Sequence, residues 1–139
     1  MTEARSEEFL RTVLECALDA IENGRREHIY RRDHETGRKV AYHLARDLER
    51  LDACCPDYTI KSEQSYWGTI LDCLEAALEN PLATYQPPTE PVCSHEEALE
   101  SEMHAFVVEL EDFTRPIYTK FCLKEQTDGT WYVSIDCHT

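Results

Sequence analysis

The C-terminal residues 117–137 carry a strict alternation of side chains that is typical of a β-hairpin. Ile117, Thr119, Phe121 and Leu123 alternate with Tyr118, Lys120, Cys122 and Lys124, and Trp131, Val133, Ile135 and Cys137 resume the alternation. Asp128-Gly129 lies between the two runs, and Asp-Gly is favoured in tight hairpin turns. A lone hairpin is marginally stable in water, so these two strands need a third one.

Residues 104–111 are the natural third strand, although their pattern fits two structures. Leu99, Met103, Phe106, Leu110 and Phe113 have helical spacing, whereas Phe106, Val108 and Leu110 alternate as in a strand. We choose the strand, because the short "DFTRP" connection would place it beside the hairpin. The sequence therefore predicts a small antiparallel sheet of three strands.

Three amphipathic helices are predicted before the sheet. The first begins after Ser6, a favourable N-cap, and stops at Asn23-Gly24. After a turn or short strand at about 28–31, the second runs from about Arg38 to Pro56, and the third runs from about Ser62 to Glu79. The apolar face of the second helix is formed by Val40, Leu44, Leu48 and Leu51. The predicted fold is α+β, with about three N-terminal helices packed on the C-terminal sheet.

The chain of 139 residues is long enough for one domain with a single core. We divide it into a helical part, 1–80, a proline-rich linker without helix, 81–93, and a C-terminal part, 94–139. In the last part, Ser94 and Glu97 match a capping box, so a short helix to about Met103 should precede the sheet.

The charge is distributed unevenly along the chain. The formal net charge is −14, and residues 51–112 contain fourteen acidic residues but only one basic residue, Lys61. The negative electrostatic field of this segment repels nucleic-acid phosphates and attracts basic protein surfaces. Solubility alone is normally served by mixed charges, so we interpret the acidic segment as a binding surface. The expected partner is a basic protein, with no direct nucleic-acid binding and no membrane.

The predicted partner-binding residues form two groups of carboxylates. The first lies in the segment "SHEEALESEMHAFVVELED" and the second lies on the third helix. They are Glu96, Glu97, Glu100, Glu102, Glu109, Glu111 and Asp112, followed by Asp72, Glu75 and Glu79. Tyr58, Tyr66, Trp67 and Tyr85 flank this acidic region. They are either interface or core residues, since aromatic side chains are common in both.

No motif for a cofactor, a metal or a small-molecule ligand is present. The four glycines do not form a phosphate-binding loop. Cys93, His95, Cys137 and His138 lack the spacing of zinc sites, and neighbouring strand residues point to opposite sides. Seven cysteines, an odd number, suit buried reduced thiols. With no secretion signal and no membrane-spanning run, we expect a cytoplasmic protein.

The segments "TYQPP", "HAFVVELED", "PIYTKFCL" and "YVSIDCH" give the C-terminal third a resemblance to the MqsR/RelE-like toxins, small ribonucleases of bacterial toxin–antitoxin pairs. Lys120 matches the strand lysine that such toxins place near the RNA backbone. The resemblance implies a ribonuclease site at Lys120, with Arg115, Tyr118 and His138. After Ser134, this chain has Ile135-Asp136 where the family shows Phe-His.

Three functional hypotheses follow. The first is an acidic inhibitor, of the immunity, anti-restriction or anti-CRISPR type, that occupies the phosphate-binding surface of a basic nucleic-acid-handling protein. Under this hypothesis the protein is not an enzyme. The second is a toxin-like ribonuclease, as the resemblance implies. The third is a secretion or folding chaperone, because such proteins are also small, acidic and α+β.

Overall fold

A computed structural model of the chain describes residues 6–29, 31–32, 35–40, 44–56, 60, 62–87 and 102–139. Four helices lie in these ranges: α1 (Glu7–Glu22), α2 (Leu44–Ala53), α3 (Glu63–Glu79) and α4 (Pro81–Thr84). The strands are β1 (Arg26–Glu27), β2 (Arg31–Arg32), β3 (Lys39–Val40), β4 (Met103–Val108), β5 (Ile117–Glu125) and β6 (Trp131–His138). None of the described helices combines the length and the apolar character needed to cross a membrane.

The first and third predicted helices are confirmed, and so is the predicted N-cap of the first, Ser6. The Ser6 hydroxyl accepts a hydrogen bond from the Phe9 amide at 3.1 Å. Ser62 and Ser65 form a reciprocal capping box at the start of α3. These contacts satisfy amide groups that have no partner within the first turn of a helix.

The α+β class is confirmed, but the prediction of a three-stranded antiparallel sheet is wrong. The sheet has four strands in the order β1-β6-β5-β4. β4, β5 and β6 pair antiparallel as expected, whereas β1 pairs in parallel with β6, through Arg26↔Val133 and Glu27↔Ser134. A two-residue strand has no periodicity of its own, so the sequence pattern could not reveal β1.

The third strand is confirmed, and it is shorter than the predicted 104–111. Met103–Val108 pairs with Ile117–Cys122, and Phe106 and Val108 are buried as expected. Leu110 lies beyond the strand and packs against the core. The prediction that the short helix extends to Met103 is wrong, because Met103 lies in β4, and the rest of that helix, 94–101, lies outside the described residues.

Two other boundaries need correction. Lys39 and Val40 lie in β3, not in the second helix, because the chain turns at Gly37 (φ +69°) and pairs back onto β2. The linker was predicted to contain no helix, but Pro81–Thr84 form α4. Proline suits the first turn of a helix, because the N–H that it lacks would have no hydrogen-bond partner within the helix there. Residues 88–93 of the linker lie outside the described residues.

The main core lies between the sheet and the helices α1, α2 and α3. Leu14 of α1, Leu51 of α2 and Ile70 of α3 share one cluster with Phe106 and Phe121 of the sheet. A smaller cluster of Ile29, Met103 and Cys122 lies apart from it. Because Cys122 and Phe121 point to opposite sides of β5, the small cluster covers the other face of the sheet.

Candidate functional site

The acidic residues of α3 form an exposed stripe. Asp72, Glu75 and Glu79 are all exposed, as expected for side chains off the buried face. With about 100° of rotation per residue, they lie within roughly 60° of one another around the helix axis. The stripe continues toward the start of the helix through Gln64 and Gly68, which are also exposed.

The loop after β4 is held at the end of α2 and lies near α3. Leu110 and Phe113 pack against the core, and the Thr114 amide donates to the Cys54 carbonyl oxygen at 2.8 Å. Partial burial, with a smaller contribution from the Asp112 carboxylate, raises the pKa of Asp72 above its ordinary value. Asp72 and Asp112 therefore lie within electrostatic range of each other.

The acidic face is defined here as six exposed carboxylates of α3 and of the loop after β4. They are Asp72, Glu75, Glu79, Glu109, Glu111 and Asp112. None of the six forms an ion pair with a described residue, whereas on α1 Glu7 and Asp19 pair with Arg11 and Arg25 at 3.0 and 2.7 Å. Their charges are therefore open to solvent or to a partner.

The other predicted partner-binding residues do not belong to the acidic face. Glu102 is half-buried beside β4. Glu96, Glu97 and Glu100 lie outside the described residues. Of the ten carboxylates predicted to bind a partner, six are thus exposed side chains among the described residues, and their role in binding stays a prediction.

Three of the four residues of the ribonuclease hypothesis lie on one face of the sheet. Tyr118 and His138 form a directly opposed pair, with ring centroids 5.3 Å apart, and Lys120 lies opposite Asp136. Arg115 is exposed in the loop before β5. Three residues sharing a sheet face are not by themselves a catalytic arrangement, so the ribonuclease site stays a prediction.

Asp136 is the most perturbed group on that face. Its side chain is only 2 % exposed, and Oδ1 accepts a hydrogen bond from the Ile29 amide at 3.3 Å. Oδ2 has no hydrogen-bond partner among the described residues. Burial, followed by the nearby Asp47 carboxylate, raises the pKa of Asp136 to about 8. At neutral pH this side chain is therefore mostly neutral and lends Lys120 little countercharge.

Tyr66 is a core residue that the sequence left open between core and interface. Its hydroxyl accepts a hydrogen bond from the Cys137 amide at 2.9 Å and lies 3.1 Å from the Cys137 carbonyl oxygen. It also lies 3.3 Å from Oδ2 of Asp47, which is fully buried. Burial raises the pKa of Tyr66, so the hydroxyl stays protonated. Tyr66 lies four residues before the buried Ile70, and this helical spacing is the signal in the sequence that indicates burial of Tyr66.

A groove of about 880 Å³ lies between β1 and α3. Its lining includes Arg26, His28, Glu63, Trp67 and Gly68. The His28 ring stacks on Trp67 at a centroid distance of 4.6 Å, and its Nε2 lies 3.1 Å from Oε1 of Glu63. Burial lowers the pKa of His28, against the opposing effect of Glu63. The groove could not be predicted from the sequence, because its wall includes β1, a strand without a periodic pattern.

The cysteines that fall on the predicted elements are mostly buried. Cys73, Cys122 and Cys137 are inaccessible, Cys16 is half-buried, and all are free thiols. Burial raises the pKa of Cys137, with a further contribution from a hydrogen bond to Cys73. Among the described residues no group of three or more His, Cys, Asp or Glu side chains is arranged to hold a metal ion. Cys93 and His95 lie outside these residues.

The chain was compared with protein-family models, with curated proteins and with solved structures, and no match was found in any of the three.

Proposed function

We propose that this protein is an acidic inhibitor of a basic, nucleic-acid-handling protein, which it neutralises by covering the phosphate-binding surface of that protein. In the proposed complex, the carboxylates of the acidic face occupy the positions on the partner that normally bind nucleic-acid phosphates. Complementary charge mainly speeds association and favours the right partner over others. No catalytic step is needed for this function.

The observation that carries this proposal is the absence of ion pairs at the acidic face. Six carboxylates on two adjoining elements have no cationic partner among the described residues. Neighbouring like charges are unfavourable to the folded state, because they repel each other. A basic partner would relieve that repulsion. Residues 51–112, which supply all six carboxylates, contain a single basic residue.

The test is a charge reversal with a control of equal charge. Asp72→Lys/Glu75→Lys/Glu79→Lys changes the acidic face, and Glu8→Lys/Glu15→Lys/Glu22→Lys makes the same change at exposed positions of α1. The binding partner is first co-purified from the native host with the wild-type protein, and its affinity is then measured at several salt concentrations. We expect the α3 variant to lose about 10- to 100-fold, mostly in the association rate, at roughly 0.5–1 kcal/mol per charge.

The α1 variant should stay within about threefold of the wild type, because it keeps all six carboxylates of the acidic face and salt screens charges outside the contact. Equal losses in both variants would show that only net charge matters. Binding that does not weaken with salt would also contradict the proposal. Displacement of nucleic acid from the partner, one for one, distinguishes an inhibitor from a chaperone that holds an unfolded segment.

A further inference from the structure

A second cavity, of about 450 Å³, lies between α4 and the end of β4, and we call it the α4–β4 cavity. Its apolar lining includes Tyr85, Val107 and Pro116. Val107 is half-buried, whereas its neighbours Phe106 and Val108 are buried, because successive side chains of a strand point to opposite faces. The cavity therefore lies outside the main core.

The chain that follows α4 is fixed to β4 by backbone contacts. The Gln86 amide donates to the Ala105 carbonyl oxygen at 2.9 Å, and Tyr85 forms an isolated antiparallel bridge with Phe106. The rings of Tyr85 and Phe106 also pack at a steep angle, with centroids 5.8 Å apart. On the other side of the cavity, Pro116 directly precedes β5. A cavity whose walls are already fixed costs less conformational entropy to fill than one that must be ordered on binding.

The charge of the α4–β4 cavity favours a cationic occupant. Among the described residues that line it, only Glu109 is charged. Its carboxylate is exposed, belongs to the acidic face and forms no ion pair with a described residue. A neighbouring cavity of about 330 Å³ shares Glu109 and Pro116 but also has Arg115 in its lining. A cation is therefore better placed in the α4–β4 cavity, where no lining cation repels it.

The mixture of groups in this cavity suits an arginine side chain. The methylene stem of an arginine can pack on Val107 and Pro116, while its planar guanidinium stacks on the Tyr85 ring and donates to the Glu109 carboxylate. Lysine has the same charge, but it has no planar group and no fork of donors. The cavity is therefore expected to prefer arginine to lysine.

The α4–β4 cavity adjoins both the acidic face and an exposed apolar side chain. Glu109 belongs to the acidic face, and α4 begins two residues after Glu79. Leu82 of α4 is 56 % exposed, and no other large apolar side chain in the described part of the chain is classed as exposed. Protein interfaces combine apolar contacts with a polar rim, and arginine is enriched among the residues that dominate binding.

We propose that the α4–β4 cavity receives one arginine side chain of the basic partner, with the guanidinium against the Glu109 carboxylate and the stem along Val107 and Pro116. This inference rests on the proposed function, since it identifies the type of residue through which the basic partner is anchored. A second copy of this chain is a poor occupant, because each copy carries a net charge of −14 and like charges repel.

The direct test is an NMR titration of the ¹⁵N-labelled protein with the peptide acetyl-Gly-Ser-Arg-Ser-Gly-amide. The comparison peptide contains citrulline, which has the shape of arginine without its charge. The arginine peptide should bind saturably, with the largest shifts in the amide signals of Tyr85, Val107 and Glu109. The citrulline peptide should bind about fivefold more weakly or worse, because it cannot form the ion pair.

Two carboxylates of the same loop provide a matched pair of variants. Glu109 lines the α4–β4 cavity, whereas Glu111 lines the neighbouring cavity instead. Glu109→Gln should weaken binding of the arginine peptide by about fivefold or more, and Glu111→Gln by less than about twofold, although both remove one charge. Val107→Trp, which fills the cavity without altering charge, should weaken binding as much as Glu109→Gln does. Val107→Ile is its control, because it leaves the cavity open.

Equal binding of the two peptides, equal losses at Glu109 and Glu111, or no saturable shift at the cavity would each overturn the proposal. If Val107→Trp does not fold, the comparison of Glu109→Gln with Glu111→Gln decides. If the native partner binds Glu109→Gln and Val107→Trp as tightly as the wild type but loses affinity for the α3 charge reversal, the acidic face stands and the cavity fails. If the peptide binds as expected while the α3 reversal leaves the partner's affinity unchanged, the proposed function fails.

Discussion

Asp136→Asn should make the protein more stable at neutral and basic pH. The wild-type carboxyl is 2 % exposed, and one of its oxygens has no hydrogen bond within the described part of the chain. Its pKa is about 8 in the folded protein, against an ordinary value of 3.8. The folded state therefore holds a proton that the unfolded state releases. Stability from this group is fully present below about pH 4 and is lost as the pH rises toward about 8.

The magnitude follows from the difference in bound protons. Between about pH 5 and pH 7 the folded state binds nearly one more proton at Asp136 than the unfolded state does, so the free energy of unfolding falls by about 1.2–1.4 kcal/mol per pH unit. Asparagine has no charge to titrate, and its carbonyl oxygen can still accept from the Ile29 amide. The stability of the variant relative to the wild type should therefore rise by about 2.5 kcal/mol between these two pH values.

Urea unfolding followed by circular dichroism, at half-unit steps from about pH 5 to pH 8, measures this difference directly. Asp128→Asn is the control. Asp128 is an exposed turn residue whose pKa is lowered, chiefly by hydrogen bonds from Thr130, so it is ionised throughout this range in both states. Its removal should leave the slope unchanged. A difference between Asp136→Asn and the wild type that does not vary with pH would refute the assignment of a buried neutral carboxyl.

Two further substitutions test the packing around α3 in the same unfolding assay. Tyr66→Phe should destabilise the protein by about 2–3 kcal/mol, because it leaves the buried amide and carbonyl of Cys137 without the hydroxyl that serves them; a change under about 0.5 kcal/mol would mean that water or another group replaces it. Gly68→Ala should stabilise it by about 0.5–1 kcal/mol, because the site is exposed, lies inside a helix and has space for a methyl group. A loss of stability at Gly68 would contradict the open groove.

The elements with long periodic patterns could be predicted from the sequence. α1 and α3 have caps and apolar stripes that repeat over several turns, and the hairpin of β5 and β6 has both the alternation and the Asp128-Gly129 turn. The strand assignment of Phe106 came from the need of that hairpin for a partner, not from local preference. Such long-range consistency decides between two local patterns that fit equally well.

The errors fall where tertiary contacts replace local signals. Val40 fits a helical stripe with Leu44 and Leu48, yet its backbone pairs with Arg31 in a hairpin. Pro81 reads as the end of a helix and also starts a new one. The density of acidic residues can be read from the sequence, whereas the groove depends on β1 lying beside α3, which no local pattern indicates.

The buried hydrogen bonds between Tyr66 and Cys137 lie next to the groove, at the point where β1 separates from β6. The pairing of β1 with β6 ends at Glu27↔Ser134, so further along β6 the Cys137 backbone groups face an edge without a described strand. The Tyr66 hydroxyl satisfies both groups, as a neighbouring strand would. Beyond β1, the His28 ring stacks against Trp67. Tyr66 and Trp67 are adjacent on α3, so one short segment of this helix both closes the edge of β6 and walls the groove. Substitutions at Tyr66 should therefore disturb the groove as well as stability, whereas Gly68→Trp should fill the groove and leave the edge of β6 intact.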